Sequence, residues 1–129
     1  MLKELNRIAT ETKYVNQYWE YRLDKYTLPS GREGEYHYVN TNGSTIILPR
    51  KNNGKFVMVT QFRYLNRRRS IEFPGGGIKK GYEALQNAIN ELKEETGYIT
   101  NELKYIGEYN PFNGVTNEIC KVFLALISF

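Results

Sequence analysis

One cysteine, one histidine and one tryptophan stand in 129 residues, and each scarcity removes a class of chemistry. A lone Cys120 excludes an internal disulfide and fits a reducing, cytoplasmic compartment. It lies in the apolar stretch 119–127 and reads as a buried thiol. The single histidine, His37, has no catalytic partner in the pattern, so it reads as a strand residue facing solvent or a dimer interface. No apolar run approaches the roughly 20 residues of a membrane-spanning helix, so a membrane is not an expected partner. The opening Met1-Leu-Lys-Glu-Leu-Asn-Arg is charged from its third residue and is not expected to be a signal peptide. Eighteen basic against fourteen acidic residues give a net charge of +4. That excess suits an anionic small molecule and falls short of a dedicated nucleic-acid binder. The one basic cluster, Arg67-Arg68-Arg69, has no interleaved aromatics on which bases would stack. It reads as a loop between strands, with a phosphate-binding wall as the sharper alternative. No repeat, linker or low-complexity tract interrupts the chain. One domain over 1–129 is expected, long enough to bury a core.

What is abundant is aromatic: eleven tyrosines and six phenylalanines. Residues 14–21 and 35–40 alternate loosely, are rich in Tyr, Val and Trp, and read as strands, with a turn at Leu28-Pro-Ser-Gly31. A β-branched strand over 44–48 leads to the hairpin signal Lys51-Asn-Asn-Gly54, and a longer strand is expected over 55–64. A short strand over 70–73 runs into Pro74-Gly-Gly-Gly. A helix starts near Tyr82 or Glu83, with Ala84, Leu85, Ala88, Ile89 and Leu92 as its apolar stripe. Gly97 is placed to end it in the left-handed conformation. Strands follow at about 103–109 and 118–127. Strands, one helix and strands again predict a mixed sheet with a helix packed on it.

The helix carries an arrangement that costs stability by itself. Glu91, Glu94 and Glu95 stand at i, i+3 and i+4, on one face of a helix turning about 100° per residue. Like charges at that spacing repel by a few tenths of a kcal/mol, and the negative end of the helix dipole adds to the repulsion. A divalent cation reverses the balance, because hard cations take carboxylate and phosphate oxygens as ligands.

Together with the glycines upstream, this segment resembles the Nudix box, G-x5-E-x7-R-E-U-x-E-E-x-G-U with U bulky and apolar. Counting back from Gly97 puts Gly76 at the first glycine, Glu91 and Leu92 at the E-U step, Glu94 and Glu95 at the paired glutamates and Tyr98 at the last U. The box then spans 76–98. The likeness extends to Val59-Thr-Gln-Phe-Arg-Tyr64, Ile71-Glu-Phe-Pro-Gly-Gly76, Gly107-Glu-Tyr-Asn-Pro-Phe-Asn-Gly114 and Asn117-Glu-Ile-Cys-Lys-Val-Phe-Leu-Ala125. These resemble the ADP-ribose pyrophosphatase branch of Nudix hydrolases. The resemblance implies an α/β fold, an α/β/α sandwich with a mixed sheet. It also implies a homodimer formed through the N-terminal strands, about 1–40, and Mg²⁺-dependent cleavage of the pyrophosphate of ADP-ribose or a related nucleoside diphosphate sugar, with Mn²⁺ as the alternative metal; the alternative functions are Nudix hydrolysis of another nucleoside diphosphate derivative and nucleotide-sugar binding with weakened catalysis. Nothing in it calls for nucleic acid or membrane.

By the same resemblance Glu91, Glu94 and Glu95 are the catalytic and metal-holding residues, joined by a backbone carbonyl at Gly75 or its neighbour. Arg63, whose planar fork suits phosphate, is expected to bind substrate, along with Glu72, Gly76 and Glu118. The glycines are expected to let the backbone turn sharply and approach metal and phosphate closely. Two positions depart from the box. Tyr82 stands where the first glutamate belongs, and Asn90 stands where an arginine normally holds the catalytic glutamate. Relatives continue past the last strand with a loop that often supplies a general base; within this sequence that role is expected of Glu94, Glu118 or the partner subunit.

Overall fold

The structure, a computed structural model, describes residues 4–100 and 102–127. The chain divides into two compact units. Residues up to Thr41 together with Asn110–Glu118 form the first, and Asn42–Tyr109 with the chain from Ile119 form the second.

The first unit is an antiparallel meander of β1 (Asn6–Val15), β2 (Glu20–Thr27) and β3 (Glu33–Asn40). The strand expected over 14–21 is in fact the corner between β1 and β2. Asn16 makes the corner: its Oδ1 accepts from the main-chain N–H of Tyr18 at 2.8 Å and of Trp19 at 2.9 Å. Short amide side chains compete with the ladder in this way, and the aromatic composition hid it. The turn at Leu28 is as read, with Gly31 at φ 88° and its N–H on the Leu28 carbonyl. Asp24, buried, accepts from Arg7 Nε at 2.7 Å and Tyr38 OH at 3.1 Å. His37 has a neighbour after all, with its Nδ1 2.6 Å from Tyr21 OH. Every residue of β1 is exposed.

The second unit holds a mixed sheet in the order β7-β4-β9-β8, formed by β4 (Ser44–Lys51), β7 (Gly75–Gly77), β8 (Leu103–Tyr109) and β9 (Cys120–Ile127). β4 and β9 run parallel from Ser44↔Cys120 to Lys51↔Ile127, while β7 and β8 are antiparallel to their neighbours. Along β4, Thr45, Ile47 and Pro49 are buried at alternate positions, the period of a strand with one face in the core. Pro49 is tolerated because its carbonyl points away from β9, to the N–H of Val57. Its missing N–H would face that same side, so the ladder to β9 loses nothing.

Two elements depart from the sequence reading. The strand expected over 55–64 is broken. Phe56 makes an isolated bridge to Arg50, and β5 (Val59–Arg63) then pairs only with β6 (Arg68–Glu72). Arg67 closes that hairpin at φ 57°, its guanidinium 4.8 Å from the Tyr64 ring centre, so only the first of the three arginines is in the loop.

The helix α1 (Ala84–Thr96) ends as expected at Gly97, at φ 81° with its N–H on the Lys93 carbonyl at 2.9 Å. It starts without a side-chain cap. Ala88 and Leu92 pack with Ile47, Phe123, Ala125 and Ile127 into the core. Leu85, expected in the stripe, is exposed, and Asn87 is turned inward instead. Mixed strands with one helix on the sheet are the predicted class; α1 is the one helical layer among the described residues.

Candidate metal and phosphate site

The glycine segment is a strand rather than a turn. Gly75, Gly76 and Gly77 pair antiparallel with Ile46, Thr45 and Ser44, and none has a left-handed φ. What requires glycine is close approach. A Cβ on Gly75 would fall on the carbonyl oxygen of Thr45. A Cβ on Gly76 would meet the Glu91 carboxylate, at 2.9 Å from Oε1 and 3.1 Å from Oε2. The helix is thereby laid so that its acidic face meets bare backbone.

All three glutamates face this segment's surroundings. Glu95 Oε2 accepts from the Gly75 N–H at 2.8 Å. Glu94 Oε1 lies 3.7 Å from Lys79 Nζ. Glu91 is half-buried against Gly76. Burial first, then the like charges of Glu94 and Glu95, push its carboxyl above the ordinary value, against the pull of Lys79. Among the described residues no three His, Cys, Asp or Glu side chains stand converged as a ready metal cage. The donor set fits a hard divalent cation in chemistry: carboxylate oxygens on one helix face, beside a glycine strand, under mutual repulsion.

Arg63, at the end of β5, is paired with Glu72 across the hairpin. Its Nε donates to Oε2 at 2.8 Å and its Nη2 to Oε1. This bidentate bond holds the Glu72 carboxyl below its usual range. Arg63 is held charged chiefly by Glu72, and the charge of Glu95 also reaches it. Glu118 belongs to the first unit, where its Oε1 lies 3.5 Å from Thr41 Oγ1 and its carbonyl accepts from Asn110. The two departures from the box are engaged elsewhere: Asn90 Oδ1 accepts from Gln86 at 2.9 Å, and Tyr82 is exposed.

Sequence reasoning missed Asn87, Thr45 and Lys79. Asn87 is 1% exposed and Thr45 is fully buried, and their side chains bond at 3.0 Å. The signal was available. Asn87 precedes Glu91 by four residues, hence lies on the acidic face one turn earlier, and a mid-helix Asn is a weak helix former that needs a reason.

Residues 40–128 match the family model described as NUDIX domain. The chain is 34% identical over 122 residues to the ADP-ribose pyrophosphatase of Bacillus subtilis (strain 168), covering 95% of this chain and 66% of that protein. It is 28% identical over 124 residues to the methanol dehydrogenase activator of Bacillus methanolicus, covering 96% and 67%. The crystal structure of an ADP compounds hydrolase superposes with a TM-score of 0.81 at 18% identity, over 98% of this chain and 69% of that one; at that identity the likeness concerns the fold. The chain therefore spans about two thirds of the length of these relatives.

Proposed function

Because the chain belongs to the NUDIX domain family, we propose that it hydrolyses the pyrophosphate bond of ADP-ribose or a related nucleoside diphosphate sugar, giving a nucleoside monophosphate and a sugar phosphate. The observation that carries this reading is the laying of Glu91 and Glu95 against the glycine strand, in a chain similar over 95% of its length to a protein named for that activity. Nudix hydrolases generally use divalent cations. Here Glu91, Glu94, Glu95 and a carbonyl at Gly75 would hold Mg²⁺, or Mn²⁺, which when bound supplies neutralising charge for the diphosphate and activates water.

The chain's own residues divide the remaining work. Arg63 binds phosphate oxygens. Glu72 occupies its Nε–Nη2 edge, so the diphosphate takes the opposite edge of the guanidinium. Bare backbone at Gly76 lets Glu91 sit where a side chain would exclude it. Within the second unit Glu72 is the substrate-side carboxylate. The exposed edge strand β1, carrying Ile8, Tyr14 and Val15 on its surface, supports a homodimer through the first unit, since such an edge offers unpaired backbone and apolar area. The setting is cytoplasmic.

The test is hydrolysis of ADP-ribose with and without Mg²⁺, resolving AMP from ribose 5-phosphate, in wild type and Glu95→Gln. Metal-dependent turnover that collapses in the variant is expected. A wild type that binds ADP-ribose and releases no AMP refutes the reading. That outcome would favour a second one, a catalytically weakened nucleotide-sugar-binding domain. The engagement of Asn90 by Gln86, away from Glu91, and the exposure of Tyr82 are the observations in its favour.

A further inference from the structure

We propose that Asn87 is a positioning residue that fixes the glycine strand and the Lys79 loop against the acidic face of α1, and so sets the site's affinity for a divalent cation. The inference rests on the metal reading above and adds to it a residue at a position the box pattern leaves unspecified.

A carboxamide buried in a helix must be satisfied by partners or it costs stability. The side-chain bonds of Asn87 lead outside its own helix. Its Oδ1 accepts from the main-chain N–H of Lys79 at 3.2 Å. That N–H is a donor, so the amide orientation follows from the bond. Its Nδ2 then donates to Thr45 Oγ1 at 3.0 Å and reaches the Gly76 carbonyl at 3.5 Å. One side chain thus joins α1 to β4, to the glycine strand and to the loop that follows it.

That loop has few other ties to the helix. Ile78 bonds back to Gly43 and Tyr82 to Lys79, and α1 opens with no side-chain cap. The two atoms Asn87 grips also flank the carboxylates. Gly76 is the residue whose missing side chain makes room for Glu91. Lys79 is the cation beside Glu94 whose charge also reaches Glu91. If the loop shifts, the backbone wall and the local counter-charge shift with it. A filler of the core would need none of these bonds.

The experiment separates the two roles. In Thr45→Val with Asn87→Leu, both partners of the buried bond become apolar, a change that leaves stability nearly intact when shapes match, while the bonds to Lys79 and Gly76 are lost. Thr45→Val alone keeps them. Three readouts are taken without substrate: thermal unfolding, amide hydrogen exchange over 76–82, and Mn²⁺ binding by electron paramagnetic resonance. The double variant is expected to unfold near the wild-type temperature, to exchange the Lys79 amide at least ~10-fold faster, and to bind Mn²⁺ roughly 10–100-fold more weakly, as lost supports of metal ligands do. The single variant is expected to match wild type in exchange and affinity.

A folded double variant with wild-type exchange and Mn²⁺ affinity overturns the proposal, as does an equal loss in Thr45→Val alone. If the double variant does not fold, Asn87→Ser carries the same comparison, since it enters without clash and cannot reach Lys79 and Gly76 together. Turnover is not among the readouts, so the result stands apart from the choice of substrate. A wild type that binds no Mn²⁺ overturns the metal reading and this inference with it.

Discussion

Replacing Gly75 or Gly76 by alanine adds the same single methyl group at adjacent positions of one strand, and the structure assigns the two changes opposite consequences. At Gly75 the new Cβ falls on the Thr45 carbonyl and lies 3.1 Å from Ile46 Cα. Those are backbone atoms of the strand it pairs with, so the ladder itself has to move. Overpacking of that kind costs about 3 kcal/mol, the upper part of the usual range, or roughly 10 °C in a domain of this size. At Gly76 the atoms nearest the new Cβ are those of the Glu91 carboxyl group, at 2.9 to 3.1 Å. The carboxyl group is the end of a flexible side chain and swings aside for less than about 1 kcal/mol. Gly76→Ala is therefore expected to melt within a few degrees of wild type, while Mg²⁺-dependent ADP-ribose hydrolysis falls on the order of 10–100-fold, because a displaced ligand is a weakened site. Gly75→Ala is expected to lose stability first and activity as a consequence. Calorimetric melting and initial rates across a Mg²⁺ series check both. The reasoning is refuted if Gly76→Ala retains wild-type rate at every metal concentration, or if Gly75→Ala melts with wild type.

Gly97→Ala tests the helix end. Nothing lies within 4 Å of the added Cβ and φ is 81°, so the cost is purely the left-handed backbone, about 1 kcal/mol, seen as a fall of roughly 4 °C in melting temperature; an unchanged melt would show that the cap relaxes. The pH dependence of the Arg63–Glu72 pair follows from the lowered Glu72 carboxyl. A depressed carboxyl contributes its stability above the unfolded value, about 4.3, and loses it as pH falls through the folded value. Carbon-detected NMR should find Glu72 titrating below an ordinary glutamate, and Arg63→Ala should return it upward. The accompanying change in stability is small, since the pair is exposed to solvent. A midpoint that ignores Arg63→Ala would remove the pair from the account.

The regular parts of the fold were legible where side-chain chemistry speaks locally. The α1 stripe apart from Leu85, the Gly97 terminus and the turns at Gly31 and Gly54 each rest on a short-range steric or periodic rule, and each is in place. The corner at Asn16 was not legible, because an Asx turn inside an aromatic run looks like strand composition. The glycine strand was misread as a turn for a related reason, although close backbone approach there was expected. Glycine signals a turn through φ, and here it is used for its missing Cβ, which only the position of Thr45 and Glu91 discloses. The acidic face of the site was readable from spacing alone, but its support was not. Asn87 and Thr45 lie 42 positions apart, and no local rule couples them.

The parallel pairing of β4 with β9 has a consequence for the order of events during synthesis. Glu91, Glu94, Glu95, Asn87, Thr45 and the glycines all leave the ribosome before β8 begins. Yet Thr45 lies in register with Lys121, almost at the far end of the described chain. Contacts so distant in sequence form late and slowly. Until β9 arrives, β4 offers an open edge, and the nascent glycine strand has only a half-built sheet to rest on. The acidic helix turn would spend that interval with its like charges exposed and its loop unfixed. Loss of β9 would then remove the site while leaving every one of its residues in the polypeptide.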